Sequence, residues 1–261
     1  MFYRKCFLDQ TIKSILRQTI ASVYRVLQTK VLHMNKTFEL IKIDLDRLQD
    51  NPDRICVILF KDGKLDIITR RINRLTRGAI GRIIESEGFE DINAGEVITI
   101  PFPSGMITKA VDLIVLGRNE KVETLRKCGA AIAQKIGKET ALIPMAAIKG
   151  ASEFMLGCAL RLYSFEKYST KASSSRPTKI TFMHKNAEAL NSQLTSIKAL
   201  VSGVHFTRDL VNEPANFLTT SKFADRLKEL QNVGLEVEVI EEDQMRELGM
   251  GALLCVGQGS N

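Results

Sequence analysis

From Met34 onward the chain alternates short apolar runs with longer amphipathic stretches, and this alternation restricts the folds open to it. "RICVILF" (54–60), "AVDLIVLG" (110–117) and "TALIPM" (140–145) are nearly continuous apolar runs. The last two have the pattern of buried strands, and the first reads as a strand. "FELIKIDL" (38–45), "EVITIPF" (96–102, closed by Pro101 and Pro103) and "KITFM" (179–183) are further strands. After the turn "KDGK", with Gly63 at its tight position, Ile72, Leu75, Ala79, Ile80, Ile83 and Ile84 share a helical face in "RINRLTRGAIGRIIESEGF" (71–89). Gly88 is placed as the C-cap of that helix. "EKVETLRKCGAAIAQKIG" (120–137) predicts an amphipathic helix ended by Gly137, and "GASEFMLGCALRLYSF" (150–165) another. Residues 166–179 are polar and loop-like, and 186–211 form a long helix. Strand–helix–strand alternation of this kind predicts an α/β fold with helices on the faces of a sheet.

Hydrophobic residues make up 44% of the 261-residue chain and charged residues 26%, which excludes a disordered class. No apolar run approaches the length of a membrane span, so none is expected. Cys6, Cys56, Cys128, Cys158 and Cys255 are scattered, with no Cys-x-x-Cys, and read as reduced core thiols of a cytoplasmic protein. The net charge of +7 is unevenly placed. Within residues 1–33, Arg4, Lys5, Lys13, Arg17, Arg25 and Lys30 stand against Asp9 alone, leaving the remainder near balance. The basic pI is therefore no argument for nucleic-acid binding. The basic extension 1–33 has three readings: a mistaken start ahead of Met34, an organelle-targeting segment, or an appended amphipathic helix.

A polar break, "RDLVNEPANFLTT" (208–220), follows the long helix. Pro214 forces Glu213 out of helical geometry and stops the helix, while Thr219 or Thr220 can cap the next one. Asn212, Glu213 and Asn216 are the polar groups of this corner, and residues of this kind ordinarily satisfy free backbone groups. Beyond it, "SKFADRLKEL" (221–230) predicts a helix, "LEVEVIEE" (235–242) an alternating strand and "EDQMREL" (242–248) a short helix. "GALLCVGQG" (251–259) reads as a buried strand flanked by glycines.

Catalytic patterns are hard to find. His33, His184 and His205 are isolated, and no His-Glu-x-x-His occurs. Glu241, Glu242 and Asp243 form one dense acidic cluster at a helix start, where the dipole favours acids. Gly249, Gly251, Gly257 and Gly259 are in the wrong order for a dinucleotide loop, and Lys149-Gly150 lacks the phosphate-loop spacing. There is no Gly-x-Ser-x-Gly nucleophile elbow.

"RDLVNEPANFLT", "FADRLKEL" and "GLEVEVIEEDQMRELGMGALLCVGQGS", in that order, resemble the start of the catalytic domain of the leucine aminopeptidase (cytosol aminopeptidase) family. "LTRGAIGRIIESEGFEDINAGEV" and "GCALRLYSFEKYSTK" are similar to that family's amino-terminal domain. A departure is Thr220, where the family often has proline. The resemblance implies a mixed sheet flanked by helices over 34–184, a connecting helix over 185–211, and an incomplete second α/β domain over 212–261. It implies two divalent metals, zinc or manganese (or magnesium), that activate a water against the amino-terminal peptide bond, with a lysine, an arginine and bicarbonate assisting. Peptide substrates and a homo-hexamer are further implications for the full-length enzyme. The family's metal ligands lie in Gly-Lys-Gly, Asp-Ser-Gly-Gly and Asp-Ala-Glu-Gly-Arg segments, and none of these occurs in the 261 residues. Hence no catalytic, metal or cofactor-binding residue is assigned, and this chain alone is expected to be inactive. The competing reading is a non-catalytic α/β interaction module binding a nucleotide, a nucleic acid or a partner subunit.

Overall fold

The computed structural model describes residues 38–145, 148–170 and 179–259. The basic extension and most of the polar loop over 166–179 lie outside them. The described residues fall into two units, one ending at Asp209 and the other beginning at Leu210.

In the first unit, β1 (Phe38–Ile41), β2 (Arg54–Phe60), β3 (Val97–Pro101), β4 (Ala110–Leu116), β5 (Ala141–Pro144) and β6 (Ile180–Met183) form one sheet. Their order is β1-β6-β5-β2-β4-β3. β3 runs antiparallel to β4, and the other pairings are parallel, so the sheet is mixed, as expected. Parallel strands need cover on both faces, and the alternation along β2 shows how it is supplied. Cys56, Ile58 and Phe60 pack with α3 (Val122–Ile136), α4 (Ala151–Arg161) and α5 (Ala187–Asn212). Ile55, Val57 and Leu59 pack on the other face with Ile68 and Ile72 of α1 (Ile67–Leu75) and Ile80 of α2 (Ala79–Ile84). This explains why the central strands read as continuous apolar runs.

The single helix expected over 71–89 is two helices. α1 starts earlier, capped by Asp66, whose carboxylate accepts from the Thr69 N–H at 2.8 Å. It stops where Arg77 and Gly78 turn left-handed (φ 51° and 80°). The Gly78 N–H then bonds back to the Asn73 carbonyl at 2.7 Å, and the Asn73 side chain accepts from the Gly81 N–H in α2. Gly88 caps neither helix: α2 ends at Ile84, with Glu85 as its C-cap. Both sides of the break keep their apolar residues on one face, so periodicity alone did not reveal it.

α3 and α4 approach unusually closely. Two glycines face each other's backbones, and a Cβ built on Gly157 would lie 1.9 Å from the Arg126 carbonyl oxygen. One built on Gly129 would lie 2.0 Å from the Phe154 carbonyl oxygen. The buried residues of α5 are Ala187, Leu190, Leu194, Ile197 and Val201, so only its first half contributes to the core.

The second unit contains α6 (Thr220–Lys228), a 3-10 turn (Glu229–Val233), α7 (Glu242–Glu247) and α8 (Gly251–Gly257). Two expectations fail here. Residues 235–241 carry no strand, and the apolar run expected as a buried strand is the helix α8, with Leu253 and Val256 exposed. No described residue of this unit is buried. A strand needs a neighbour to complete its hydrogen bonds, and the described residues of this unit include no other strand; a helix closes its bonds internally.

Candidate functional site

The break at Pro214 is a corner built from local hydrogen bonds. α5 ends at Asn212, and the Pro214 carbonyl accepts from the N–H groups of Phe217 (2.8 Å) and Leu218 (2.9 Å). The Thr219 hydroxyl then accepts from the Lys222 N–H at 3.4 Å and opens α6. Asn212 and Asn216 are exposed and Glu213 is half-buried. The corner therefore matches the helix-stop and helix-start chemistry expected of its sequence.

The other groups singled out in the sequence do not converge. Glu241 caps α7, with its N–H donating to the Gln244 side chain at 3.3 Å. Glu242 and Asp243 are exposed and tied to Arg246 at 3.2 and 2.5 Å. This is a solvated helix start. His184 Nδ1 accepts from the Asn186 N–H, and His205 packs on the Tyr163 ring at 5.2 Å. His33 lies outside the described residues. Lys149 donates to the Asn119 side chain, and Gly150 precedes α4 with no phosphate-type loop. Gly251 and Gly257 begin and end α8. Among the described residues no three His, Cys, Asp or Glu side chains come together as a metal site. These donors therefore do not fit the two divalent metals that the sequence resemblance implies.

Two groupings escaped the sequence reading. The first is a buried ionic cluster at the sheet. Asp112 of β4 is fully buried and accepts from Arg54 at 2.7 Å and from Thr99 at 2.7 Å, tying β2 and β3 to β4. The Cys56 thiol also points at this carboxylate, at 3.9 Å. Arg54 Nε lies 3.2 Å from Glu139, just before β5, without the alignment of a hydrogen bond. Burial, with the nearby Asp112 carboxylate adding to it, pushes the Cys56 thiol well above its ordinary range, so it stays protonated. Its signal was the lone Asp inside "AVDLIVLG", since a buried carboxylate needs a partner.

The second grouping is an open cleft of about 530 Å³ where α3 crosses α4 beside the end of α5. Arg126 and Lys127 come from α3, Arg161 from the end of α4 and Arg208 from α5. Arg126 is held by Glu153 at 2.7 Å. Arg208 donates to the Leu160 carbonyl at 2.7 Å and lies over the Tyr163 ring. No sequence pattern signals this cleft, because its cations come from three separate helices. No helix among the described residues is long and apolar enough to cross a membrane.

Comparison with known proteins supplies what the geometry does not. The model of the cytosol aminopeptidase family's N-terminal domain matches residues 56–172, and that of its catalytic domain matches 205–261. A probable cytosol aminopeptidase of Dinoroseobacter shibae is 44% identical over 217 residues, covering 83% of this chain. One from Cereibacter sphaeroides is 42% identical over the same length. The chain spans 44% of the length of each of these two relatives. Among solved structures, a mutant of tomato leucine aminopeptidase superposes with a TM-score of 0.71 at 17% identity, over 85% of this chain and 47% of its own, a likeness of fold. With both domain models matched in chain order and the sheet shared with a leucine aminopeptidase, the chain belongs to the cytosol aminopeptidase family, corresponding to its amino-terminal portion.

Proposed function

We propose that this chain supplies the amino-terminal α/β domain (34–184), the connecting helix (185–211) and the opening of the catalytic domain (212–261) to a metal-dependent leucyl aminopeptidase. Such an enzyme releases amino-terminal residues from peptides with two divalent metals, manganese or zinc, in the cytoplasm and as a hexamer. The observation that supports this reading is the succession of two matches to one family along a single chain, N-terminal domain first and catalytic domain second. Among the described residues no three His, Cys, Asp or Glu side chains gather to hold a metal, so no step of the metal chemistry is assigned to them. The polar corner at Pro214 then has a positional role: it ends the connecting helix and redirects the chain into α6.

The 261-residue chain alone should show no metal-dependent hydrolysis of a leucyl chromogenic amide. Turnover above a metal-free control, on addition of manganese or zinc, would overturn that half of the reading. Joining the chain to the rest of the catalytic domain of the Dinoroseobacter relative should restore such turnover. A well-folded chimaera that stays inactive would count against the aminopeptidase assignment.

A further inference from the structure

The basic cleft on the first unit has no part in the aminopeptidase reading, and its chemistry points to a ligand. Its volume of about 530 Å³ lies within the range of small-molecule sites. Ala130 and Gly157 line it where the two helices cross, and long cationic side chains surround them. Among the described residues Glu123 is the only acid lining it.

The cations differ in how they are held. Arg126 is oriented by Glu153, and Arg208 is set by the Leu160 carbonyl and the Tyr163 ring, so both guanidinium groups have fixed directions. Arg161 is exposed and has no hydrogen-bond or ion-pair partner among the described residues. Lys127 lies 3.8 Å from Glu123 with both side chains largely exposed, an arrangement that holds a lysine only weakly. Two positioned cations and two available ones thus converge from three helices on one concavity. A guanidinium fork matches carboxylate and phosphate oxygens in two-pronged geometry, and a concave basic wall concentrates anions in front of it.

We propose that this cleft binds a small anion bearing carboxylate or phosphate groups, with Arg161 and Lys127 contacting it from the rim. The inference stands independently of the aminopeptidase reading, because every residue it uses belongs to the first unit.

The test is titration calorimetry on the full chain at low ionic strength, with citrate and inorganic phosphate as separate probes and sodium chloride at matched ionic strength as control. Saturable binding of one equivalent is expected from citrate, phosphate or both, which assigns the preferred group. Arg161→Gln and Lys127→Gln should each weaken the affinity by about tenfold, the effect of losing one charge-assisted contact. Ala130→Phe should abolish binding by filling the cleft, with circular dichroism confirming the fold. Arg246→Gln, which alters a surface cation of the second unit, should change nothing. Absence of saturable heat from both probes would overturn the proposal. So would unchanged affinity in Arg161→Gln and Lys127→Gln, or an equal loss in Arg246→Gln, which marks diffuse surface charge.

Discussion

Replacing Gly157 by alanine tests the packing of the first unit directly, because two opposed effects are of known size. In isolation the change favours a helix, since alanine gains roughly 1 kcal/mol over glycine in a helix interior. Here the added Cβ would sit 1.9 Å from the Arg126 carbonyl oxygen and 2.6 Å from that residue's carbonyl carbon and Cα. Ordinary contact begins at 3.4 Å, and the atoms met belong to a helix backbone that cannot rotate aside. α4 must therefore withdraw from α3, loosening Cys128, Ile132, Phe154 and Cys158, all fully buried between or beneath them. Overpacking with backbone movement costs about 3 kcal/mol at the upper end of its usual range, so the net loss is about 2 kcal/mol. For a unit of this size that lowers the melting temperature by roughly 4–8 °C.

The control is the same substitution at Gly203 in α5, where a Cβ would meet nothing within 4 Å. There only the propensity acts, and a gain of up to about 1 kcal/mol is expected. Urea denaturation followed by circular dichroism measures both. Gly129→Ala should resemble Gly157→Ala, and the double variant should cost less than the sum, because once the helices have separated the second methyl meets little. A stabilised Gly157→Ala, or one indistinguishable from Gly203→Ala, would refute the close approach.

Removing the Asp112 carboxylate with Asp112→Ala leaves Arg54 and Thr99 facing a void in the sheet, and about 3 kcal/mol should be lost in the same denaturation assay. Replacing Arg54 and Asp112 together by Met and Leu should cost less than Asp112→Ala alone; equal losses would argue against a dependence on the pair. The thiols provide a third measurement. Burial pushes Cys158 up to about 12 and Cys128 up to about 11, from an ordinary 9.0, whereas Cys255 is exposed. At pH 8 a thiol reagent should label Cys255 in the folded chain, and Cys56, Cys128 and Cys158 only after unfolding, as mapped by mass spectrometry. Because the folded values of Cys128 and Cys158 are raised, the stabilisation from these two thiols is fully present below pH 9 and is lost as the pH rises from there through 11 to 12. Stability should therefore decline over that alkaline window.

In the first unit the elements were legible because burial on two faces writes itself into composition. "RICVILF" and "AVDLIVLG" sit centrally as β2 and β4, and Gly137 caps α3 where the periodicity ends. The break at Gly78 was not legible, since Leu75, Ala79, Ile80 and Ile83 continue the apolar face across it. What stops α1 there is the left-handed turn at Arg77 and Gly78 and the side chain of Asn73, and periodicity reports neither. The basic cleft was invisible for a related reason. Arg126, Lys127, Arg161 and Arg208 are separated by up to 82 residues, and the α3–α4 crossing and the course of α5 bring them to one place.

The second unit separates signals by range. Pro214 stopping α5, Thr219 opening α6 and the Glu241–Gln244 cap of α7 are contacts within three or four residues. Such contacts form whatever surrounds them. The strands expected at 235–242 and 251–259 depend on a partner in register, and none of the described residues from 210 to 259 forms a strand. Alternation in "LEVEVIEE" is thus a statement about a surface to be covered, not about local geometry, and here residues 235–241 take no regular secondary structure. "GALLCVG" faces the same lack and takes the alternative open to it. A helix satisfies its own backbone, so α8 forms while leaving Leu253 and Val256 in water. Supplying sheet neighbours from the rest of a family catalytic domain, as in the chimaera, should turn the amides of 235–241, which have no regular structure in this chain, and those of α8 into more strongly protected ones. Amide exchange across 235–257 that is unchanged between the chain and an active chimaera would show that missing partners are not the reason these strands fail to form.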